Sequence, residues 1–382
     1  MTLPPRSWDD VCRGRMAAQH LATPLPASAF DRMVADICGL HAQVMSAAGL
    51  AAAVRLEGLG RGAVATALWE DRSLVKTWAM RGTLHLLLAE ELPLYVAALS
   101  NRRFDLDGPW LKYHGLAASD VPALVDAVGH ALDGRQLTRD ELGREVVRLL
   151  GDAKFEPLLA SGWGAVLKPV AFQGMVCFGP SEGNRVTFVR PDQWIGAFEL
   201  PDPAESLREM VRRFLAAYGP ARLEDFARWW GVTPKAVRPV FAAGEGLVQV
   251  EADGAKAWTV TGPPVPVSQV GTNGPVVRLL PLFDPYTVAV RRGTERPLSG
   301  PDKDLVYRKA GWISPVLLVD GEIAGVWDHT EARGELRVEI RPFTALDDEV
   351  AGNAEREAAR LGAHLGAGVT VGFVTGSGRK NH

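Results

Sequence analysis

Two polar side chains that can handle a proton lie two positions apart early in the chain, at His41 and Gln43. On a helix, such residues point in directions that differ by roughly 200° and cannot share a site. On an extended backbone they point to the same side. An apolar helical pattern over residues 30–37 ends just before the pair, where Gly39 can terminate a helix. The spacing therefore predicts that both groups converge on one small molecule such as a water; the alternative is a capped helix end with two satisfied polar groups.

The composition is that of an ordinary globular protein. The 382 residues are 47% hydrophobic and 23% charged, and the net charge is −3. Nucleic-acid binding would therefore depend on locally clustered Lys and Arg rather than on global charge. The three cysteines, Cys12, Cys38 and Cys177, lie far apart, which argues against a zinc ribbon or a disulfide framework. With no apolar leader and no stretch of 18 apolar residues, we expect a cytoplasmic protein.

Several other catalytic classes lack their motifs in this chain. No Walker loop, no GxGxxG and no GxSxG elbow occurs. The histidines show neither HExxH nor paired-ligand spacing, so we expect no metal and no cofactor. His85, within an apolar stretch, is better explained as a buried structural group than as a ligand.

Helices followed by a β ribbon, which is the element order of a winged helix, recur three times. The pattern predicts winged-helix units at residues 1–115, 116–200 and 201–262, the first of which carries the His41 motif. In the second unit, Thr138 and Glu141 have the spacing of a capping box. In the third, Pro234 stands at a first helical position.

The pattern then changes to a β-rich C-terminal domain at residues 263–382. We expect strands at residues 276–281, 286–290, 316–319, 323–327, 336–340 and 369–374, and a helix at residues 347–361. Asp320 and Gly321 join two of these strands as a hairpin. The predicted fold class is therefore α+β, with three tandem winged helices and a β-rich domain.

Basic residues occur where winged helices meet DNA, because the third helix of such a unit enters a groove and the wing contacts backbone. Residues 278–309 also hold seven basic residues against four acidic ones. Each cation alone is explained as well by a solvated surface. The pattern as a whole favours DNA contact, since backbone neutralisation needs several cations on one side. The candidates are Arg81, Lys168, Arg185, Lys235, Arg238, Arg291, Arg292 and Lys309.

Four stretches, at residues 39–43, 77–85, 280–286 and 308–312, together with Asp320-Gly321, match one known family over nearly the whole chain. The protein resembles the winged-helix DNA glycosylases of the AlkZ-like and YcaQ-like type. The resemblance implies tandem winged helices and a β-rich part curved around a DNA-binding cleft. It also implies monofunctional excision of alkylated, often bulky, purines and of crosslinks from double-stranded DNA, and thus base-excision repair and self-resistance in producers of DNA-alkylating natural products.

The signature of that family is Gln-x-Gln, or Gln-x-Asp in the YcaQ-like branch. Here its two positions are His41 and Gln43, which places the chain nearer the AlkZ-like branch. The resemblance implies that Gln43 holds a water while His41 accepts a proton from it as a general base. Two non-catalytic alternatives stay open: a winged-helix transcriptional regulator and a protein that sequesters adducts. A regulator would dimerise to match two half-sites, whereas three winged units in one chain favour a monomer.

Overall fold

The computed structural model describes residues 5–100, 108–162, 164–261, 274–289 and 301–374. The chain divides into two compact units, each built from separated segments. Unit 1 comprises Met1–Ala63, Phe214–Asp225 and Gly246–His382, and unit 2 comprises Val64–Arg213 and Phe226–Glu245. Helices and sheets are mixed throughout, as the predicted α+β class requires. The four-part division of the sequence stays a prediction.

The elements run as follows in chain order. The helices are α1 (Trp8–Ala18), α2 (Phe30–Asp36), α3 (Met45–Arg55), α4 (Ala63–Trp69), α5 (Leu92–Ser100), α6 (Gly108–His114), α7 (Asp120–Ala131), α8 (Arg139–Leu150), α9 (Phe155–Ala160), α10 (Lys168–Phe172), α11 (Pro191–Trp194), α12 (Pro203–Tyr218), α13 (Leu223–Trp230), α14 (Pro234–Ala243), α15 (Pro285–Ala289), α16 (Pro301–Val306) and α17 (Asp348–Leu365). The strands are β1 (Leu25–Pro26), β2 (Leu40–His41), β3 (Leu56–Glu57), β4 (Leu74–Trp78), β5 (Leu84–Leu88), β6 (Leu137–Thr138), β7 (Cys177–Glu182), β8 (Arg185–Val189), β9 (Leu247–Ala252), β10 (Ala255–Val260), β11 (Val277–Leu280), β12 (Val316–Val319), β13 (Glu322–Ala332), β14 (Glu335–Pro342) and β15 (Gly368–Phe373).

A five-stranded sheet forms the core of unit 1, with the strand order β11-β12-β13-β14-β15. Neighbours are antiparallel except β14 and β15, which are parallel and are joined through α17. Alternate apolar residues of the strands, such as Val338 and Ile340 of β14, are fully buried. Ala354 and Ala358 of α17 and Val54 of α3 belong to the same core. The predicted hairpin at Asp320-Gly321 lies between β12 and β13.

Unit 2 contains the β4–β5 hairpin and a three-stranded sheet of order β6-β8-β7. The capping box at Thr138 and Glu141 opens α8 as predicted, because the Thr138 hydroxyl accepts from the Glu141 N–H while the Glu141 carboxylate accepts from the Thr138 N–H. Trp78 packs against Phe178 and Phe188. Gly164 has φ +59° and leaves room for Trp78, since a Cβ there would lie 2.3 Å from the indole.

Helices α12, α13 and α14 precede the β9–β10 hairpin, which turns at Asp253-Gly254, a sequence that favours such a turn. Pro234 takes the first helical position of α14. In the described part of the chain, no helix is both long and apolar enough to cross a bilayer.

The predicted strand at residues 286–290 is wrong. That stretch forms α15 as far as Ala289, and Val290 lies outside the described residues. The β-branched and aromatic residues suggested a strand, but the Asp284 carboxylate accepts from the Tyr286 N–H at 2.9 Å and Pro285 has the backbone angle of a first helical turn. A side-chain cap thus overrides the local strand propensity.

Candidate active site

His41 lies at the end of a short extended segment, as predicted. Helix α2 ends at Asp36, and the chain reverses through Cys38 and Gly39, whose φ angles are +59° and +92°. Leu40 and His41 then form β2. Gly39 accommodates the left-handed backbone without strain, which is the local reason that the helix cannot continue into the motif.

The two residues of the motif differ in their exposure. His41 is 8% exposed, whereas Gln43 is exposed on the bend that precedes α3. A nearly buried imidazole is thus followed two residues later by a side chain that is open to solvent. The convergence of both groups on one water stays a prediction.

The His41 imidazole stacks on the ring of Phe283, with the ring centroids 4.9 Å apart and the planes inclined by 23°. Phe283 in turn contacts the indole of Trp312, at a centroid distance of 5.2 Å. The three rings form a row, His41–Phe283–Trp312, which we call the aromatic row. It runs from a nearly buried imidazole to an indole that is 39% exposed.

Phe283 adopts φ +57°, which is unfavourable for a bulky side chain and needs support from its surroundings. The next residue supplies that support. Asp284 accepts two hydrogen bonds from the Arg55 guanidinium, at 2.7 and 2.8 Å, and both side chains are fully buried. Gln19 accepts a longer hydrogen bond of 3.4 Å from the same guanidinium. A planar, bidentate pair of this kind fixes orientation as well as distance.

Arg55 is the last residue of α3, and the bend holding Gln43 lies just before the first turn of that helix. One end of α3 therefore follows the motif directly in the chain. The other end is held by the ion pair to Asp284, the residue next to Phe283. This arrangement gives the imidazole a fixed stacking partner and restricts its ring orientation.

Among the predicted DNA-binding residues of unit 1, Lys309 is exposed in a 3-10 turn at Lys309–Gly311. Arg291 and Arg292 lie outside the described residues. Sequence reasoning missed the link of Arg55, Phe283 and Asp284 to the motif. The available signal was an aromatic-Asp-Pro sequence directly after an apolar strand.

In unit 2, Lys235 and Arg238 are exposed on α14, and Arg185 is exposed on β8, where it pairs with Glu182 at 2.9 Å. Arg81 has a structural contact, since its guanidinium donates to the Trp229 carbonyl at 2.6 Å. Lys235, Arg238 and Arg185 are therefore accessible to a polyanion.

Lys168 of unit 2 begins α10 and packs along Gly82, where a Cβ would lie 3.0 Å from the lysine Cδ. Burial, together with the positive charge of Lys168, lowers the pKa of His114. His85 is buried and hydrogen-bonded to the Thr83 carbonyl, as expected of a structural histidine. Across the described ranges, no group of three or more His, Cys, Asp or Glu side chains is arranged to hold a metal ion.

Comparison with known proteins identifies the class. Residues 34–364 match the family described as DNA glycosylase AlkZ-like. The chain belongs to this AlkZ-like family of DNA glycosylases, enzymes that hydrolyse N-glycosyl bonds, which confirms the resemblance seen in the sequence.

Two matches from Streptomyces sahachiroi, one of sequence and one of solved structure, support the assignment. An interstrand DNA cross-link repair glycosylase is 37% identical over 366 residues, which cover 93% of this chain and 95% of that protein. The solved structure of the DNA glycosylase AlkZ superposes with a TM-score of 0.84 at 35% identity, over 98% of this chain and 100% of the other.

Proposed function

We propose that this protein excises alkylated purines from duplex DNA by hydrolysis of the N-glycosidic bond, with His41 and Gln43 as its catalytic residues. The observation that carries the proposal is the motif itself: a ring-stacked, nearly buried imidazole two residues from an exposed carboxamide, on non-helical backbone. Its position corresponds to the catalytic signature of the family that the sequence resembles.

Departure of the alkylated base needs little assistance from the enzyme. An N7- or N3-alkylated purine is cationic, so its glycosidic bond is weak and the base leaves as a neutral molecule. The protein must stabilise the positive charge that develops on the sugar and direct a water to C1′. The Gln43 carbonyl orients that water, and the neutral His41 imidazole accepts its proton, a contribution of roughly 10²–10⁴-fold.

The substrates that we propose are bulky N7-alkylguanines and crosslinked purines, formed by DNA-alkylating natural products. The name of the 37% identical relative supports crosslinks as one substrate class. A site with one side chain open to solvent suits an adduct that is too large for extrusion into a closed pocket. The biological role would be base-excision repair and self-resistance, in the cytoplasm and as a monomer.

DNA would lie along a cleft lined by tandem winged helices. Exposed cations supply the backbone contacts: Lys235, Arg238, Arg185 and Lys309, with Arg81, Lys168, Arg291 and Arg292 as further predicted contacts. Such contacts position the duplex but carry no sequence information, which suits an enzyme that must find damage anywhere.

Excision from a duplex with one N7-methylguanine tests the proposal. Alkaline cleavage of the abasic product should give strand breaks with the wild type. His41→Ala should lower the single-turnover rate by about 10²–10⁴-fold and Gln43→Ala by less. A transcriptional regulator or an adduct-sequestering protein would give no strand breaks. Equal rates for the wild type and the double variant would rule out the assigned residues.

A further inference from the structure

A short loop at residues 308–312, here called the Trp312 loop, presents an aromatic ring to solvent. An antiparallel bridge between Tyr307 and Ile313 closes the loop at its base. Within it, the Arg308 N–H donates to the Trp312 carbonyl at 2.8 Å. The loop is therefore held by backbone hydrogen bonds, so the exposure of its indole belongs to an ordered structure.

Trp312 is 39% exposed, whereas Trp327 and Phe283 in the same unit are 3% and 9% exposed. Because the indole is only partly covered on an ordered loop, its exposed part is available to stack on a partner. Trp can also stack on any nucleobase, because every base has a π-face.

The same loop carries two cations, three and four residues before Trp312. Arg308 and Lys309 are both exposed, and within the described part of the chain no ion pair engages either of them. An exposed aromatic ring and two cations on one short loop suit a nucleic acid, which offers bases for stacking and phosphates for ion pairing. This charge pattern favours DNA over an apolar protein partner.

The aromatic row places this surface beside the motif. Trp312 contacts Phe283, which stacks on His41, so the indole lies within about 10 Å of the imidazole. That distance corresponds to about three base steps at 3.4 Å per step. A duplex whose damaged sugar meets His41 therefore has its neighbouring bases within reach of Trp312.

We propose that Trp312 stacks on a base next to the alkylated nucleotide, while Arg308 and Lys309 neutralise the flanking phosphates. This inference rests on the proposed function, since it takes the His41 site as the place where the sugar binds. A ring that inserts beside the lesion would hold a locally unstacked duplex open without extruding the adduct. Because Trp312 also contacts Phe283, stacking of a base on Trp312 would act on the ring that orients His41.

The test is binding of a duplex that contains a tetrahydrofuran abasic-site analogue flanked by 2-aminopurine, a base whose fluorescence reports stacking. This probe needs no catalysis. Trp312→Ala should weaken binding by about 10- to 100-fold and abolish the fluorescence change on binding, whereas Trp312→Phe should retain most of both. Leu200→Ala removes another exposed apolar side chain, which is 49% exposed, and should behave as the wild type.

The cations are tested by the salt dependence of the same binding. Arg308→Gln and Lys309→Gln should each reduce the slope of log K against log salt by about 1. Arg337→Gln removes an exposed arginine from β14 and should leave the slope unchanged. Thermal unfolding of each variant shows that it is folded at the assay temperature.

Wild-type affinity and fluorescence change in Trp312→Ala would overturn the inference, as would unchanged salt slopes in both cation variants. Such results would leave the assignment of His41 and Gln43 intact, since that assignment depends on excision rates. Conversely, if the His41 and Gln43 double variant excised at the wild-type rate while Trp312→Ala still lost stacking, the proposed catalytic residues would fail and the DNA contact would stand.

Discussion

At the scale of single residues, the departure from Gln-x-Gln gives His41 a property that glutamine lacks. A neutral imidazole accepts a proton, but a protonated one cannot. Excision by the wild type should therefore be lost in acid, where the imidazole is protonated. Burial against Phe283 keeps this ring from solvent on one side.

The variant His41→Gln restores the commoner family signature, Gln-x-Gln. Its excision rate should be lower than that of the wild type at neutral pH but should show no acid limb between about pH 5 and 8. Single-turnover excision of N7-methylguanine, corrected for spontaneous loss of the base, measures both profiles. An acid limb of the same shape in both proteins would show that another group titrates.

Phe283, the stacking partner of His41, can be tested by substitution. Phe283→Leu removes the ring but keeps an apolar side chain, and the lost stacking should lower the excision rate by about 3- to 10-fold. Because the ring orients His41, the loss should fall on kcat more than on KM. Phe343→Leu, in a residue packed against the same core, should leave the rate unchanged. An equal loss in both variants would indicate a general loss of stability instead.

The extended backbone at His41 was predictable from Gly39, because one glycine decides where the preceding helix stops. Phe283 was not predictable as its partner, since 242 positions separate the two residues and the aromatic-Asp-Pro signal at Phe283 does not show which residue it contacts. Local signals fix backbone conformation, whereas a contact between distant residues depends on how the whole unit packs.

At the scale of elements, the buried ion pair between Arg55 and Asp284 joins α3 to the turn before α15. Two charges removed from water are stabilising only while they satisfy each other. The pair therefore sets the position of the turn that carries Phe283, and its loss should affect both stability and excision.

A double-mutant cycle tests the coupling between Arg55 and Asp284. Arg55→Met and Asp284→Asn should each lower the free energy of unfolding by about 3–5 kcal/mol, because each leaves one buried group without its partner. The double variant should lose less than the sum of the two. Arg61→Met breaks the more exposed pair with Glu331 and should cost about 0–1 kcal/mol in urea unfolding. Strict additivity of the buried pair would contradict the argument.

The capping box of α8 gives a prediction with a pH dependence. The hydrogen bond from the Thr138 hydroxyl lowers the pKa of Glu141, and the Thr138 N–H adds to this effect. A depressed pKa in the folded state means that the stabilisation by this carboxylate is present above the unfolded value of about 4.3 and is lost as the pH falls through the folded value.

Thr138→Ala should therefore lower the free energy of unfolding by about 1 kcal/mol at neutral pH and by less in acid. Chemical unfolding at several pH values measures the difference between the two proteins. Glu141→Gln removes the titrating charge, and in that background the cost of Thr138→Ala should no longer vary with pH in the acid range.

Capped and strongly patterned elements such as α8, α13 and the β9–β10 hairpin were predictable from the sequence, because each has its own start and stop signals. Helix α3 escaped prediction, since its run of alanines shows little apolar periodicity. Helix α15 was mistaken for a strand because a single side chain, Asp284, determines its start.

At the scale of the whole molecule, the segments of the two units alternate along the chain. Sequence patterns follow the chain from one end to the other and predict consecutive domains, a division that stays a prediction. Which segments join into one compact unit depends on long-range packing, such as that of α3 against the β11–β15 sheet, and no local pattern records it.

The aromatic row can form only late in synthesis of the chain, because its members are far apart in the sequence. His41 emerges from the ribosome early, whereas Phe283 follows 242 residues later, an interval on the order of 10 to 50 s at about 5–20 residues per second. During that time the imidazole lacks its stacking partner, and Arg55 lacks its counterion. A nascent or prematurely terminated chain would therefore carry the motif without the means to orient it, so unfinished copies of this enzyme should leave alkylated bases in place.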